Sequence, residues 1–510
     1  MSSDHTPLLT AHIFVSKQES ITRLVNKLSK SRVTVKVYGP EDVLQEINPK
    51  HPRVYISIGP KWSEFTTLNA LPSYERNRWL HFTSPAGILP YHLFYCWLKA
   101  TDPLPVNKQI PLNRFSSETP LVSVFTASYR SKEKIQRPYR SLLNQSYTNW
   151  EWVVVDDSGD EDETYTKDLL PLEDPRVRRY RQDARNGYIG AIKRYAAGLC
   201  TGEILVEVDH DDELTPDCLE KIVQAFQRNP DCGFAYGDFT EVYEGSNQAH
   251  WYGWDCGFGY SVHYRVWVHT MNRWQNVQRQ TTVNGITIRH LVGLPNHPRA
   301  WTRDCYHLIG GHREELLVAD DYDILVRTFL CTKYISIPDL LYIQYRNKNR
   351  DNSTFQRNQQ IQILVNEINL SYSERIFTRL QELGLPVEQM PYKRVWETST
   401  ADAARFTSHL VYKNSDKISY LFPIPFSTPT TEHHQLLEIL QKGIETHFRD
   451  IEVVIVGRIP SEIEDYASKA PMGAIRWWPM VRDDSLETCI EYAKFCASCN
   501  EKIVVLPEKS

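Results

Sequence analysis

Apolar and polar positions along this chain fall into three successive blocks, each alternating short strand-like apolar runs with amphipathic stretches of helical period. In the first block, residues 1–105, the runs His12–Ser16, Val33–Tyr38 and Val54–Ile58 predict strands, with a helix near Ser20 to Leu28 and a short one from Glu41. Alternation of this kind argues a small parallel α/β unit. A polar, proline-containing stretch over 106–120 reads as a linker. The second block, 121–385, carries stronger signals. Leu121–Phe125 and Trp150–Val155 predict buried strands, Lys132–Gln145 and Ile189–Leu199 predict helices, and the apolar run from Glu203 to Val208 predicts another strand. Thr215-Pro216 predicts a helix start, with Thr215 as N-cap and proline in the first helical position. The third block, 386–510, predicts strands at Lys417–Phe422, Ile451–Val456 and Lys502–Leu506, with helices over Glu432–Thr446 and from Asp484. The fold class is therefore α/β: a central sheet domain flanked by two smaller α/β domains of unassigned role.

A length of 510 residues fits about three domains, and 41% hydrophobic residues suffice for large cores. A formal net charge of −5 carries no global basic footprint, which argues against nucleic acid as the main partner. No apolar run reaches the ~18–20 residues of a membrane helix, and the start Met-Ser-Ser-Asp-His-Thr lacks a secretory pattern, so an intracellular, cytoplasmic protein without a transmembrane segment is expected. Ten cysteines without framework spacing suit reduced thiols; Cys496 and Cys499 form a lone pair, readable as a metal or redox pair or simply as two residues on a helix. Oligomeric state is not legible.

The chemistry concentrates where strands end. After the run Ile204–Val208 come Asp209, Asp211 and Asp212, which repel one another unless a cation lies among them, and carboxylate oxygens are hard ligands of the kind Mg²⁺ or Mn²⁺ prefers. Aspartates also serve turns for backbone reasons, so the cluster gains weight only from its surroundings. Trp150–Val155 runs into Asp156-Asp157, where an ionised carboxylate can accept from the N–H of a planar base such as uracil, or simply close an Asx-turn. Leu121–Phe125 leads to Thr126-Ala-Ser-Tyr129, small residues followed by a ring with a stacking face. Lys193 and Arg194, on the helix entered through Asn186-Gly187, suit a diphosphate or a solvated face equally. Asp320, Asp321 and Asp323 open a helix, where acids complement the dipole and where one carboxylate can be held rigidly enough to act as a general base. The aromatic stretch Trp251–Trp274 reads as core or as a platform on which sugar C–H faces pack, and His297 as a loop residue satisfied locally.

Strand-Tyr129, strand-Asp156-Asp157, Asp209-His-Asp211 and Asp320-Asp-Tyr-Asp323, in this order, resemble the family 2 glycosyltransferases with the GT-A fold over about residues 120–355. The resemblance extends through Ser141-Leu-Leu-Asn-Gln-Ser-Tyr-Thr-Asn-Trp and through Gly310-Gly311. It implies a Rossmann-like mixed sheet; Tyr129 and Asp157 contacting the base of a nucleotide-diphosphate sugar, a UDP-sugar being favoured; Asp211, with Asp209 nearby, meeting Mn²⁺ or Mg²⁺; and Asp321 as the base that deprotonates a carbohydrate or glycan hydroxyl with inversion. Two departures stand out: Asp320 replaces the usual Glu, Ala127 the common Pro. No Gln-x-x-Arg-Trp element follows, only Tyr342-Ile-Gln-Tyr-Arg346, which argues against a processive synthase.

Two rival readings are a sugar nucleotidyltransferase and a catalytically inactive carbohydrate-binding scaffold. The first calls for a glycine-rich cationic loop after the first strand, whereas Tyr129-Arg-Ser-Lys-Glu-Lys134 has cations and no glycines. The second calls for loss of the acids at 211 or 321, and both are present.

Overall fold

The computed structural model describes residues 6–16, 21–44, 51–104, 112–159, 174–250, 263–280, 283, 287–290, 293–346, 356–383, 417–424, 434–479, 485–497 and 502–506. Two sheets organise them. The smaller is four-stranded and parallel, in the order β2-β1-β3-β4, built from β1 (Leu9–Val15), β2 (Val33–Tyr38), β3 (Arg53–Ile58) and β4 (Trp79–Phe82). Its apolar face, with Leu9, Ala11, Ile13, Val54 and Ile56, packs under the helices Thr22–Lys30 and Pro90–Ala100. Residues 41–44 are not helical, contrary to the short helix expected from Glu41; residues 45–50 lie outside the described set.

The larger sheet begins with β5 (Val122–Ser128), β6 (Trp150–Asp156), β7 (Val177–Arg181) and β8 (Ile204–Glu207), arranged β8-β5-β6-β7 and all parallel. Near-continuous apolar sequence suits strands covered on both faces, and every residue of β6 and β8 is buried. The chain winds outward from β5 to β7 and then crosses back to β8. That reversal creates a crevice at the carboxyl ends of β5, β6 and β8, where ligands of open α/β sheets bind. The sheet continues through short β9 (Glu213–Leu214), β10 (Cys232–Tyr243), β11 (His263–Val268), β12 (Arg273–Gln278), β13 (Arg299–Thr302) and β14 (Lys333–Arg346), with β13 antiparallel to β8.

Helix Ile189–Leu199 occurs where the sequence predicts it, whereas the helix after the acidic cluster starts at Cys218 with Asp217 as N-cap rather than at Pro216. Thr215 is tied to β14 instead, its N–H donating to the Leu341 carbonyl (3.0 Å) and its hydroxyl to the Leu340 carbonyl (3.0 Å).

The third unit does not stand apart. Its parallel strands β15 (Ile418–Ile424), β16 (Ile451–Gly457), β17 (Ile475–Trp478) and β18 (Ile503–Val505) join the large sheet where β17 pairs antiparallel with β11 through Arg265↔Trp477 and Val266↔Arg476. Arg476 is buried at this seam against Asp339 and the Pro338 carbonyl. Trp267, Trp274 and Trp477 pack edge to face beside it at 5.7 Å, so this part of the aromatic segment is core, while residues 251–262 lie outside the described set. Cys499 also lies outside it.

A 25-residue helix, Asn358–Glu382, lies between the first unit and the central sheet. Leu364, Ile368 and Ile376 are fully buried there, each burial contributing about 1.5–3 kcal/mol. Among the described residues no helix is long and apolar enough to cross a membrane.

Candidate active site

The crevice at the strand ends is a cleft of about 790 Å³ lined, among others, by Tyr129, Asp157, Lys193, Asp209, Asp211 and Asp321. All six candidate site residues from the sequence therefore meet on one cavity. Strand register explains half of this: Ser128 on β5 aligns with Asp156 on β6, and Phe125 with Glu207 on β8, so the residues just beyond each strand face one mouth. Two buried hydrogen bonds, Thr126 Oγ1 to the Val208 carbonyl (2.8 Å) and Trp152 Nε1 to Thr126 Oγ1 (2.9 Å), fix the three strand ends together.

On the β6 side, Asp156 closes the strand in an Asx-turn, accepting from the Ser158 N–H (3.0 Å). Asp157 does something different. Its Oδ1 accepts from the Asn186 N–H (2.6 Å) and its Oδ2 from the Gly187 N–H (2.9 Å), anchoring the entry to helix Ile189–Leu199. Each oxygen keeps a second lone pair for a ligand. The Tyr129 ring lies under guanidinium groups, Arg185 at 4.4 Å and Arg130 at 5.2 Å from its centroid. Arg130 and Arg185, from loops, and Lys134, from the short 3-10 turn Lys132–Ile135, line the cleft, so its cationic rim comes from elsewhere than the helix the sequence singled out.

Lys193 departs from the expectation of a cation presented to a diphosphate. It is buried, with Nζ 2.6 Å from Glu207 and 3.3 Å from Asp320, and its charge is matched inside the protein. Burial alone would lower its pKa, but Asp320 and Glu207 raise it above the ordinary lysine value. Burial likewise opposes ionisation of Glu207, yet Lys193 and the ring N–H groups of His297 and His312 hold its carboxyl well below the usual range.

Asp209 follows β8 directly, with its backbone N–H donating to the Tyr342 hydroxyl (3.1 Å) and its side chain about one-third exposed. Asp211 is pinned by its carbonyl, which accepts from Arg137 Nη1 (2.9 Å), leaving its carboxylate to the cleft. Asp212 turns inward and accepts from the Tyr342 hydroxyl (2.9 Å) and the Tyr345 N–H (2.8 Å). Burial, then Asp211 and Asp209, raise its carboxyl well above the ordinary value. His297, which sequence reasoning assigned to a loop, is buried, stacks on Tyr342 at 5.1 Å, and faces Asp209 with Nδ1 at 3.9 Å from Oδ2. Asp209, Glu207 and His297 offer ligand atoms within 4.8 Å of one another, a set of hard oxygens and one imidazole that fits a divalent cation, with Asp211 on the same cleft.

Across the cleft, Asp320 and Asp321 open helix Asp320–Cys331, whose N-cap Ala319 has φ 60°. The two acids part company. Asp320 is buried beside Lys193, and burial pushes its carboxyl up despite that ammonium. Asp321 keeps a third of its side chain exposed and lies 3.3 Å from Arg299 Nη2; burial disfavours its charge, but Arg299 and then Lys193 more than offset this and hold its carboxyl below the usual range. Asp323 points away into the core, against Arg313 (3.0 Å) and Arg327 (2.5 Å), and is structural. Arg299, on β13, had no local signal beyond its place two residues after His297.

Residues 123–288 match the family described as Glycosyl transferase family 2. Among curated proteins, WcaA of Escherichia coli K12, a protein named for glycosyl transfer in colanic acid biosynthesis, is 30% identical over 119 residues, 23% of this chain and 42% of that one. Chondroitin synthase of Escherichia coli is 26% identical over 208 residues, 41% of this chain and 26% of that one. The chain thus spans less than half the length of these curated relatives. A solved structure of S. aureus TarS, residues 1–349, is 16% identical at a TM-score of 0.35, covering 56% of this chain and 80% of that one. The strand-end aspartates at 157, 209 and 211 fall inside the segment, residues 123–288, that matches the family described as Glycosyl transferase family 2.

Proposed function

We propose that this protein transfers a sugar from a nucleoside diphosphate donor, a UDP-sugar being favoured, to a hydroxyl group of a carbohydrate or glycan acceptor, with inversion. The reading rests on one observation: Asp157, Asp209, Asp211 and Asp321, brought from two strand ends and a helix start, open onto a single cleft. Tyr129 and Asp157 receive the base, with the rim cations Arg130, Lys134 and Arg185 near the phosphates. Asp209 and Asp211 hold Mn²⁺ or Mg²⁺, with His297 the further candidate ligand; bound there, the ion offsets the charge that grows on the departing diphosphate. Lys193 is reassigned from a phosphate contact to an internal counter-ion that holds Glu207 and Asp320.

Asp321 takes the proton from the acceptor hydroxyl as that oxygen bonds to the anomeric carbon, and the bond to the diphosphate oxygen breaks with its electron pair leaving on the nucleotide. Arg299 keeps Asp321 ionised at neutral pH, as a base requires. Base and leaving group on opposite sides of the sugar make the displacement direct, which inverts the anomeric centre.

The test incubates the chain with a panel of nucleotide sugars and oligosaccharide acceptors, with Mn²⁺ or with a chelator, and reads the product's anomeric configuration by NMR. A new linkage of inverted configuration that depends on the ion supports the reading. Retention of configuration, or nucleotide-sugar formation from a sugar phosphate and a triphosphate, overturns it.

A further inference from the structure

The segment 311–319 leads straight into Asp320 and Asp321, and its last residues Leu317, Val318 and Ala319 line the cleft. Tyr306 and Arg194 of the central unit hold its start at His312 and Glu314, and the N-terminal unit holds it at two further points. Glu315, on the strap, accepts from Arg78 Nη1 (3.1 Å) and Nη2 (2.7 Å) and from Trp97 Nε1 (2.7 Å), all from the N-terminal unit. A bidentate guanidinium pair with an indole N–H on the same carboxylate fixes position and direction together. Trp97 is fully buried and the Arg78 side chain only 10% exposed, so little solvent weakens the contact.

Arg313 repeats the arrangement two residues earlier. Its Nη1 donates to the Leu98 carbonyl (2.9 Å) and the Thr101 hydroxyl (2.8 Å), while Nη2 reaches Asp323 (3.0 Å) and the Tyr372 hydroxyl (2.7 Å). One side chain thus joins the N-terminal unit to the first turn of the helix that carries Asp321. From the opposite side helix Ile189–Leu199 closes in so tightly that a Cβ at Gly190 would lie 2.5 Å from the Arg313 carbonyl oxygen and 3.1 Å from Asp320 Cβ. His51 Nδ1 of the N-terminal unit also meets the hydroxyl of Tyr188 (3.2 Å), whose chain neighbours Gly187 and Ile189 line the cleft.

We propose that the N-terminal unit is an external brace for the transfer reaction: Arg78 and Trp97, acting through Glu315, are positioning residues that fix the strap 311–319 and so aim Asp321 at the acceptor side of the cleft. The proposal rests on the reading of Asp321 as the base. It gives the first unit a role that needs no ligand site of its own, and it separates donor binding, which uses the strand ends, from acceptor activation, which depends on the strap.

The test compares the full-length chain with Trp97→Phe, which removes the indole N–H and keeps a ring, Arg78→Lys, which keeps the charge and loses the bidentate grip, and Glu315→Gln, isosteric from the strap side. Lys99→Ala, exposed on the same helix as Trp97, is the control. Expected for all three is a fall in kcat of roughly tenfold to a hundredfold, with donor KM and nucleotide affinity within about twofold, and faster backbone hydrogen exchange confined to 311–323. The proposal is overturned if exchange over the strap rises while kcat stays within twofold of the parent, or if donor affinity falls in step with kcat. Asp321→Asn is run in parallel: if it keeps full activity, the base assignment fails instead, independently of the brace.

Discussion

Asp209 and Asp211 on one wall of the cleft and Asp320 and Asp321 on the other are both pairs of acids at the start or end of an element, yet they are built on opposite principles. The first pair is tied by its backbone, through Tyr342 and Arg137, with both residues on the cleft and the His297 imidazole facing Asp209. The second pair is tied by its carboxylates, to Lys193 and Arg299. One wall is left anionic, ready for an added cation. The other has its counter-charges inside the protein, and the two carboxyls part: burial carries Asp320 up despite Lys193, while Arg299 and then Lys193 hold Asp321 down. Acid–base roles in active sites are commonly divided in this way.

The contrast can be broken at four points. Asp321→Asn should lower transfer by roughly 10²–10⁴-fold while nucleotide affinity stays within a few-fold, measured by steady-state kinetics beside calorimetry; parallel loss of both would make the residue a binding group. Next in size, Asp211→Asn should remove the Mn²⁺-dependent part of nucleotide binding and leave melting temperature nearly unchanged. A variant that still gains affinity from the ion would move the cation elsewhere.

On the opposite wall the effect should be on folding. Lys193→Met leaves Glu207 and Asp320 as buried charges without their ammonium, and should cost about 3–5 kcal/mol in denaturant unfolding at neutral pH, less as pH falls and the two carboxyls protonate. An unchanged midpoint would show that the pair is not held by Lys193.

The smallest effect is on the pH profile. A base with a depressed pKa stays ionised through the ordinary carboxylate range, so with the metal ion saturating, the acid limb of kcat that Asp321 sets should lie below that of a free aspartate. An acid limb set by Asp321 at or above the ordinary carboxylate range would contradict the influence of Arg299.

Much of this site was legible in the sequence because its residues sit at the ends of apolar runs, where local pattern and ligand geometry coincide. Tyr129, Asp157 and Asp209 are placed by parallel register alone. What escaped is long-range. Lys193 looks like a helix-face cation until β8 brings Glu207 beneath it, and His297 and Arg299 matter only because β13 pairs antiparallel with β8. Thr215 satisfies every local rule for an N-cap, but its backbone and hydroxyl are drawn onto β14 and the helix starts only at Cys218. In the third block β15, β16, β18 and two helices follow the sequence pattern, whereas the helix Ile463–Lys469 and β17 went unread, and the pairing of β17 with β11, which merges the block into the central sheet, has no signature within either segment.

The most direct measurement is a crystal structure with UDP and Mn²⁺ bound. The account predicts the ion between the Asp209 and Asp211 carboxylates, the uracil beside Asp157 and Tyr129, and Asp321 facing the open space beyond the diphosphate. A nucleotide bound away from this cleft, or an ion held without either aspartate, would contradict it.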